Sequence, residues 1–258
     1  MRIERGGASL NASVSGSGTT TLVFLHYWGG SSRTWNHVRR LLPDCFQTVA
    51  TDHRGWGEST ADNENYGLSA LADDAMAIVD AMGLDRYVLV GHSMGGKVAQ
   101  LIASRRPRGL AGLALVAPAS PGPSAFPLDQ RMTMAHAYDS RESVIATVEH
   151  VLAGKRLSPD DLELVVQDSL RGTPGAKIAW PMTTMMEDIG PAISSIDVPV
   201  LVVGGELDKV DPVTGLREEV VARIPGAALE VLAGTGHLSP LESPRELANI
   251  LARFATSL

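Results

Sequence analysis

The chain has 258 residues, 44% of them hydrophobic and 20% charged, the balance of an ordinary water-soluble domain with enough length for a substantial core. A formal net charge of -7 repels phosphate backbones, so no nucleic-acid partner is expected. Cys45 is the only cysteine, which excludes an internal disulfide and a cysteine-based metal cluster.

Residues 1–7 lack the apolar core of a signal peptide, and the longest apolar runs, such as 22–25 and 198–203, are too short to span a bilayer. The expectation is a cytoplasmic protein without membrane contact, monomer or homodimer. Residues 8–14 alternate polar and apolar and predict an antiparallel edge strand. The β-prone runs at 21–26 and 47–51 are each followed by glycines that break the chain. Leu71, Ala75, Ile78 and Met82 fall at helical spacing, and Gly83 ends that helix. A third strand at 87–90 runs into Gly91-His92-Ser93-Met94-Gly95, then a small-residue helix reaches about Arg106 and stops at Pro107. Strands return at 113–116 and 199–203. Ser243-Pro244-Arg245-Glu246 reads as a capping box with proline at the first helical position, and Leu247, Ile250, Leu251 and Phe254 form the apolar stripe behind it.

Continuous apolar strands interleaved with helices predict an α/β fold: a mostly parallel central sheet with helices on both faces. Only residues 121–196 break the alternation. They hold helix-prone pieces at 141–152 and 159–170, together with Trp180, Met182, Met185 and Met186. The expected organisation is a core of residues 1–120 and 197–258, with 121–196 as a helical cap over the sheet's C-terminal edge.

Gly91-His92-Ser93-Met94-Gly95 matches G-x-S-x-G between a strand and a helix. A serine on so sharp a turn has a strained backbone, and side chains two residues either side would collide. Glycine at 91 and 95 removes those collisions. The Met94 amide, at the helix N-terminus, suits a developing oxyanion. His92 is expected to pack or hydrogen-bond within this elbow. Gly91 to Lys97 lacks the spacing of a phosphate loop, and no His/carboxylate group has metal-ligand spacing, so no metal and no cofactor are expected.

With these landmarks in order, the chain resembles the α/β-hydrolase family over nearly its whole length. The other matching segments are His26-Tyr27-Trp28-Gly29-Gly30, Asp52-His53-Arg54-Gly55-Trp56-Gly57-Glu58-Ser59, Gly204-Gly205-Glu206-Leu207-Asp208 and Gly236-His237-Leu238. The resemblance implies a triad of Ser93, Asp208 and His237, with His237 on a flexible loop that lets it swing over the serine. Glu206 and Asp211 compete for the acid's place; the resemblance favours Asp208, leaving Asp211-Pro212 to cap the next helix. It also implies an oxyanion hole from the backbone amides of Trp28 and Met94. Tyr27 stands where the family has glycine; its side chain either packs under the loop, the expected outcome, or offers its hydroxyl to substrate. His26 and the 52–57 loop read as scaffolding.

Serine at 93 argues against the haloalkane dehalogenase and epoxide hydrolase branches, which need aspartate there. What the resemblance implies is hydrolysis of small to medium carboxylic esters through an acyl-enzyme. Lactones, including acylated homoserine lactones, come close behind, and a cofactor-free perhydrolase or haloperoxidase side reaction is compatible with the Trp28/Met94 pair. Carbon–carbon bond hydrolases usually carry an aromatic residue soon after the histidine, where this chain has Leu238-Ser239-Pro240. A small-molecule receptor on the same fold is the alternative from another class. Tyr27, Trp180, Met182, Met185 and Met186 are the candidate substrate contacts; Arg131, Arg141 and Lys177 are the cations available to an ionic substrate.

Overall fold

A computed structural model describes all residues, 1–258. In chain order the elements are β1 (Arg2–Arg5), β2 (Ala8–Ser15), β3 (Thr20–Leu25), α1 (Asn36–Leu41), β4 (Phe46–Thr51), β5 (Thr60–Ala61), α2 (Leu68–Ala81), β6 (Tyr87–His92), α3 (Met94–Ser104) and β7 (Leu110–Val116). Helices α4 (Leu128–Ala135), α5 (Arg141–Thr147), α6 (Pro159–Arg171), α7 (Pro174–Met182) and α8 (Gly190–Ile193) follow without an intervening strand. The chain closes with β8 (Val200–Gly205), α9 (Val213–Gly215), β9 (Ala228–Leu232), α10 (Ser239–Glu242) and α11 (Pro244–Thr256).

One sheet runs in the order β1-β2-β4-β3-β6-β7-β8-β9, with β5 paired to β2. From β4 to β9 every pairing is parallel; β1, β2 and β5 join antiparallel. This is the α/β-hydrolase fold. The predicted edge strand at 8–14 is correct in sense and misplaced in order, because β1 lies outside it. β9, which had no counterpart in the sequence reading, forms the opposite edge.

The strands from β3 to β8 are buried on both faces, which is why their sequences run apolar without alternation. On one face, α11 buries Leu247, Ile250 and Leu251 in a cluster with Leu22, Phe24, Val88 and Val90. Each such side chain contributes roughly 1.5–3 kcal/mol. On the other, α2 and α3 join a larger cluster that continues into the insertion through Tyr138, Val144, Val165 and Trp180. α6 and α7 start as their sequences dictate: Ser158 and Thr173 accept from Asp161 N and Ala176 N, each followed by proline.

The capping box at Ser243 does not form. Ser243 makes no cap bond; its hydroxyl instead pairs with Thr235 Oγ1 at 2.7 Å and accepts from Lys155 Nζ at 3.2 Å. Tertiary partners outcompete the local one. No helix is long and apolar enough to cross a membrane.

Candidate active site

Ser93 sits between β6 and α3 at φ 53°, ψ -114°, one of three non-glycine residues with positive φ. Such a backbone costs on the order of 1–3 kcal/mol and persists only where its surroundings enforce it. Here Ser93 N donates to Val116 O at 3.1 Å, and Ser93 O accepts from both Lys97 N and Ala119 N. A Cβ on Gly95 would lie 2.6 Å from the carbonyl oxygens of Leu25 and His26, so only glycine lets α3 start this close to the end of β3.

His237 lies on the loop after β9, three strands along the sheet from β6, which leads into Ser93. Its Nδ1 is 2.9 Å from Asp208 Oδ2, and both side chains are at most 2% exposed. Asp208 Oδ1 in turn accepts from Val210 N and Asp211 N at 2.8 and 3.0 Å, which fixes the carboxylate. Burial pushes the His237 pKa down, but the charge and hydrogen bond of Asp208, with Asp211 and Glu242 behind, hold it above the usual imidazole value.

The His237 loop is anchored by hydrogen bonds on both sides of the residue. His237 N donates to Leu152 O at 2.8 Å, and His92 Nε2 donates to His237 O at the same distance. Glu242 then collects four amides: Gly154, Lys155 and Gly236 on one oxygen and Leu238 on the other. Sequence reading missed Glu242, which belongs to no motif. His92, expected to serve the elbow alone, ties it to the His237 loop through that bond; its buried Nδ1 has no partner, consistent with a neutral ring whose pKa burial and the nearby His237 hold well down.

Asp211 does not cap α9; Pro212 occupies that position. Its carboxylate instead comes within 4.0 Å of His237 Nδ1. Burial pushes its pKa up to about 7, aided by the Asp208 charge and opposed by His237 and Lys97. Glu206 points elsewhere and accepts from Gly234 N.

The loop after β3 turns at Gly29, with φ 97°, rather than at Tyr27, whose φ is negative. Glycine is therefore not required at 27. The Tyr27 ring packs against His92, with ring centroids 5.2 Å apart, and a Cβ on Gly30 would strike it. The Trp28 backbone amide has no acceptor within the protein, and Met94 opens α3, where no helical carbonyl precedes it. Two residues of the insertion, both unforeseen, brace this loop: Tyr138 OH donates to Trp28 O and Ser169 Oγ to Gly29 O, each at 2.9 Å. Asp168, also unforeseen, accepts from Ser31 Oγ at 2.7 Å and from Arg33. His26 and Asp52 are scaffolding: His26 Nε2 accepts from His53 N, and Asp52 accepts from Ser32 N and Glu58 N.

Two cavity arms meet at Ser93. One, of about 490 Å³, is walled by Tyr27, Trp28, Tyr138, Val151, Leu152 and His237. The other, of about 430 Å³, contains Lys97, Met185, Asp211 and Glu219. Trp180 reaches both arms, Met185 only the second, and neither Met182 nor Met186 lines either. Of the cations available to an ionic substrate, Arg131 donates to the carbonyls of Pro181 and Met182, Lys177 to those of Tyr138 and Leu170, and Arg141 pairs with Glu163.

The profile of the α/β-hydrolase fold family matches residues 20–244. An AB hydrolase superfamily protein of Bacillus subtilis, YisY, is 26% identical over 92% of this chain and 91% of its own. The structure of an esterase from Exiguobacterium antarcticum superposes with a TM-score of 0.88 at 22% identity, covering 96% of each chain. That of Est816, described as an N-acyl homoserine lactone degrading enzyme, superposes at 0.84 with 27% identity, covering 98% of this chain and all of the other. A profile match over most of the length, with relatives aligned nearly end to end, makes this chain a member of the α/β-hydrolase fold family.

Proposed function

We propose that this protein hydrolyses small to medium carboxylic esters through an acyl-enzyme on Ser93. The observation that carries the reading is the buried 2.9 Å pair of Asp208 with His237 Nδ1, on the wall of the cavity where Ser93 opens. With Nδ1 engaged, Nε2 is the nitrogen left to take the Ser93 proton. Ser93 Oγ attacks the ester carbonyl, and the developing oxyanion meets the amides of Trp28 and Met94. The imidazolium, stabilised by Asp208, gives its proton to the departing alcohol. Water then repeats the sequence on the acyl-enzyme.

Lactone opening uses the same steps with the leaving oxygen kept in the ring, and the likeness to Est816 supports it as the second reading. The test is hydrolysis of p-nitrophenyl acetate and butyrate beside N-acyl homoserine lactones, by the native chain and Ser93→Ala. Ester turnover that disappears in Ser93→Ala supports the proposal. A lactone preference of about tenfold, or roughly 1.4 kcal/mol in barrier, moves the assignment to lactonase. Turnover unchanged in Ser93→Ala refutes both.

A further inference from the structure

The two arms differ in what their polar groups have left to offer. In the Tyr138 arm, four of the side chains that carry hydrogen-bonding atoms spend them locally. Thr133 Oγ1 donates to Asp129 O, Thr147 Oγ1 to Ser143 O, Ser143 Oγ to Ser140 O, and His136 pairs with Asp139. Gln130 and Lys209 line both arms, and what is peculiar to this one is mainly apolar. In the other arm, Lys97 is 1% exposed and gives two of its three ammonium hydrogens to Gly122 O and Met185 O, at 2.7 and 3.0 Å. The third has no acceptor in the protein. In the same arm, the Asp211 side chain, 18% exposed, accepts no hydrogen bond from the protein. A buried donor with one hydrogen to spare and a partly buried acceptor without a donor thus line the same arm, and leaving either unsatisfied is costly.

The chemistry decides which part of an ester enters which arm. The leaving oxygen must receive its proton from His237, and His237 lines the Tyr138 arm alone. The alcohol therefore departs into the apolar arm, and the acyl group extends into the arm of Lys97 and Asp211. An unsubstituted alkyl chain there would leave both groups unpaired. An acyl group carrying a hydroxyl satisfies both, donating to Asp211 and accepting from Lys97. A carboxylate would find Lys97 but face Asp211 and Glu219, which line the same arm.

Resting on the acyl-enzyme reading above, we infer that Asp211 and Lys97 are specificity-determining residues that select esters of hydroxylated acids with apolar alcohols.

The experiment compares p-nitrophenyl hexanoate with its 3-hydroxy and 6-hydroxy counterparts and with the p-nitrophenyl monoester of adipic acid. It uses the native chain, Asp211→Asn and Asp211→Leu. The readout is the ratio of kcat/KM values within each protein, so that any effect of residue 211 on His237 cancels. The expected result is a native preference of about tenfold or more for one hydroxylated ester over the plain one. Asp211→Asn, which can still hydrogen-bond, should keep part of that preference, and Asp211→Leu, with only Lys97 left to meet the hydroxyl, should keep less. A native ratio near or below one, a ratio unchanged in Asp211→Leu, or a preference for the adipate monoester each overturns the assignment of this arm while leaving the acyl-enzyme intact. If no ester turns over in any form of the chain, the hydrolytic reading falls first and takes this one with it.

Discussion

Asp208→Asn removes one charge and changes almost no volume, and the surrounding hydrogen bonds dictate what the new amide must do. Asp208 Oδ1 accepts from Val210 N and Asp211 N, so the single oxygen of asparagine has to stay where those two amides donate. Its NH2 group is then turned to His237 Nδ1, 2.9 Å away, and donates to it. Nδ1 can accept only if the ring carries its proton on Nε2. That tautomer cannot take a proton from Ser93, and the imidazolium also loses its partner. The expected loss in kcat for p-nitrophenyl butyrate is about 1,000- to 10,000-fold, roughly 4–5.5 kcal/mol in barrier, with KM little changed. Because both Oδ1 bonds survive, the thermal midpoint should move by only a few degrees, about 1 kcal/mol. A kcat within about tenfold of native, in a protein of native stability, would refute the tautomer argument and Asp208 as the orienting acid.

Three further outcomes follow from the same geometry. Asp211 has a folded pKa raised to about 7 against 3.8 for the free carboxyl, so its ionisation costs stability that is absent below pH 3.8 and complete above 7. Asp211→Asn should therefore raise the thermal midpoint at pH 8, by an amount on the order of 2–4 kcal/mol, and leave it nearly unmoved at pH 4; the opposite pH dependence would show the carboxyl to be ionised comfortably in place. Gly95→Ala pushes a methyl against the Leu25 and His26 carbonyls and should destabilise the fold by about 3 kcal/mol or abolish soluble expression, whereas near-native urea denaturation would mean that α3 can back away from β3. Asp74→Ala strands the Arg54 guanidinium, which donates to both Asp74 oxygens from a site with 6% of its side chain exposed, and should cost about 3–5 kcal/mol in urea denaturation; a loss below about 1 kcal/mol would show that Asn63 and solvent suffice.

What could be read in the chain and what could not divides along physical lines. Strands β3, β4, β6, β7 and β8 are legible because burial on both faces leaves an unbroken apolar run. β9 is not, since Ala228–Leu232 buries little beyond Leu232 and holds its place through pairing with β8. The elbow is legible because part of its sterics acts between neighbours: a Cβ on Gly91 would strike the Gly95 carbonyl, whereas Gly95 answers to the Leu25 and His26 carbonyls of β3 and its loop. Asp208 and Asp211 could not be separated in the same way. They lie three residues apart before one proline, and the difference between 2.9 and 4.0 Å to His237 is made by the loop's fold rather than its composition. Tyr138, Asp168 and Glu242 were invisible for a further reason. All or half of their partners lie in other segments, and neither spacing nor residue type announces them.

The bonds from Tyr138 and Ser169 to the carbonyls beside Trp28 and Gly29 bear on any attempt to re-engineer selectivity by exchanging the segment between β7 and β8. Such a graft would be chosen for the shape of its walls. It would also remove two struts under the amide proposed to stabilise the reaction's negative charge, and the Leu152 carbonyl that steadies the histidine. A chimera that keeps every core residue would lose rate before it gained a new preference, unless the donor segment brought its own tyrosine and serine to the same two oxygens.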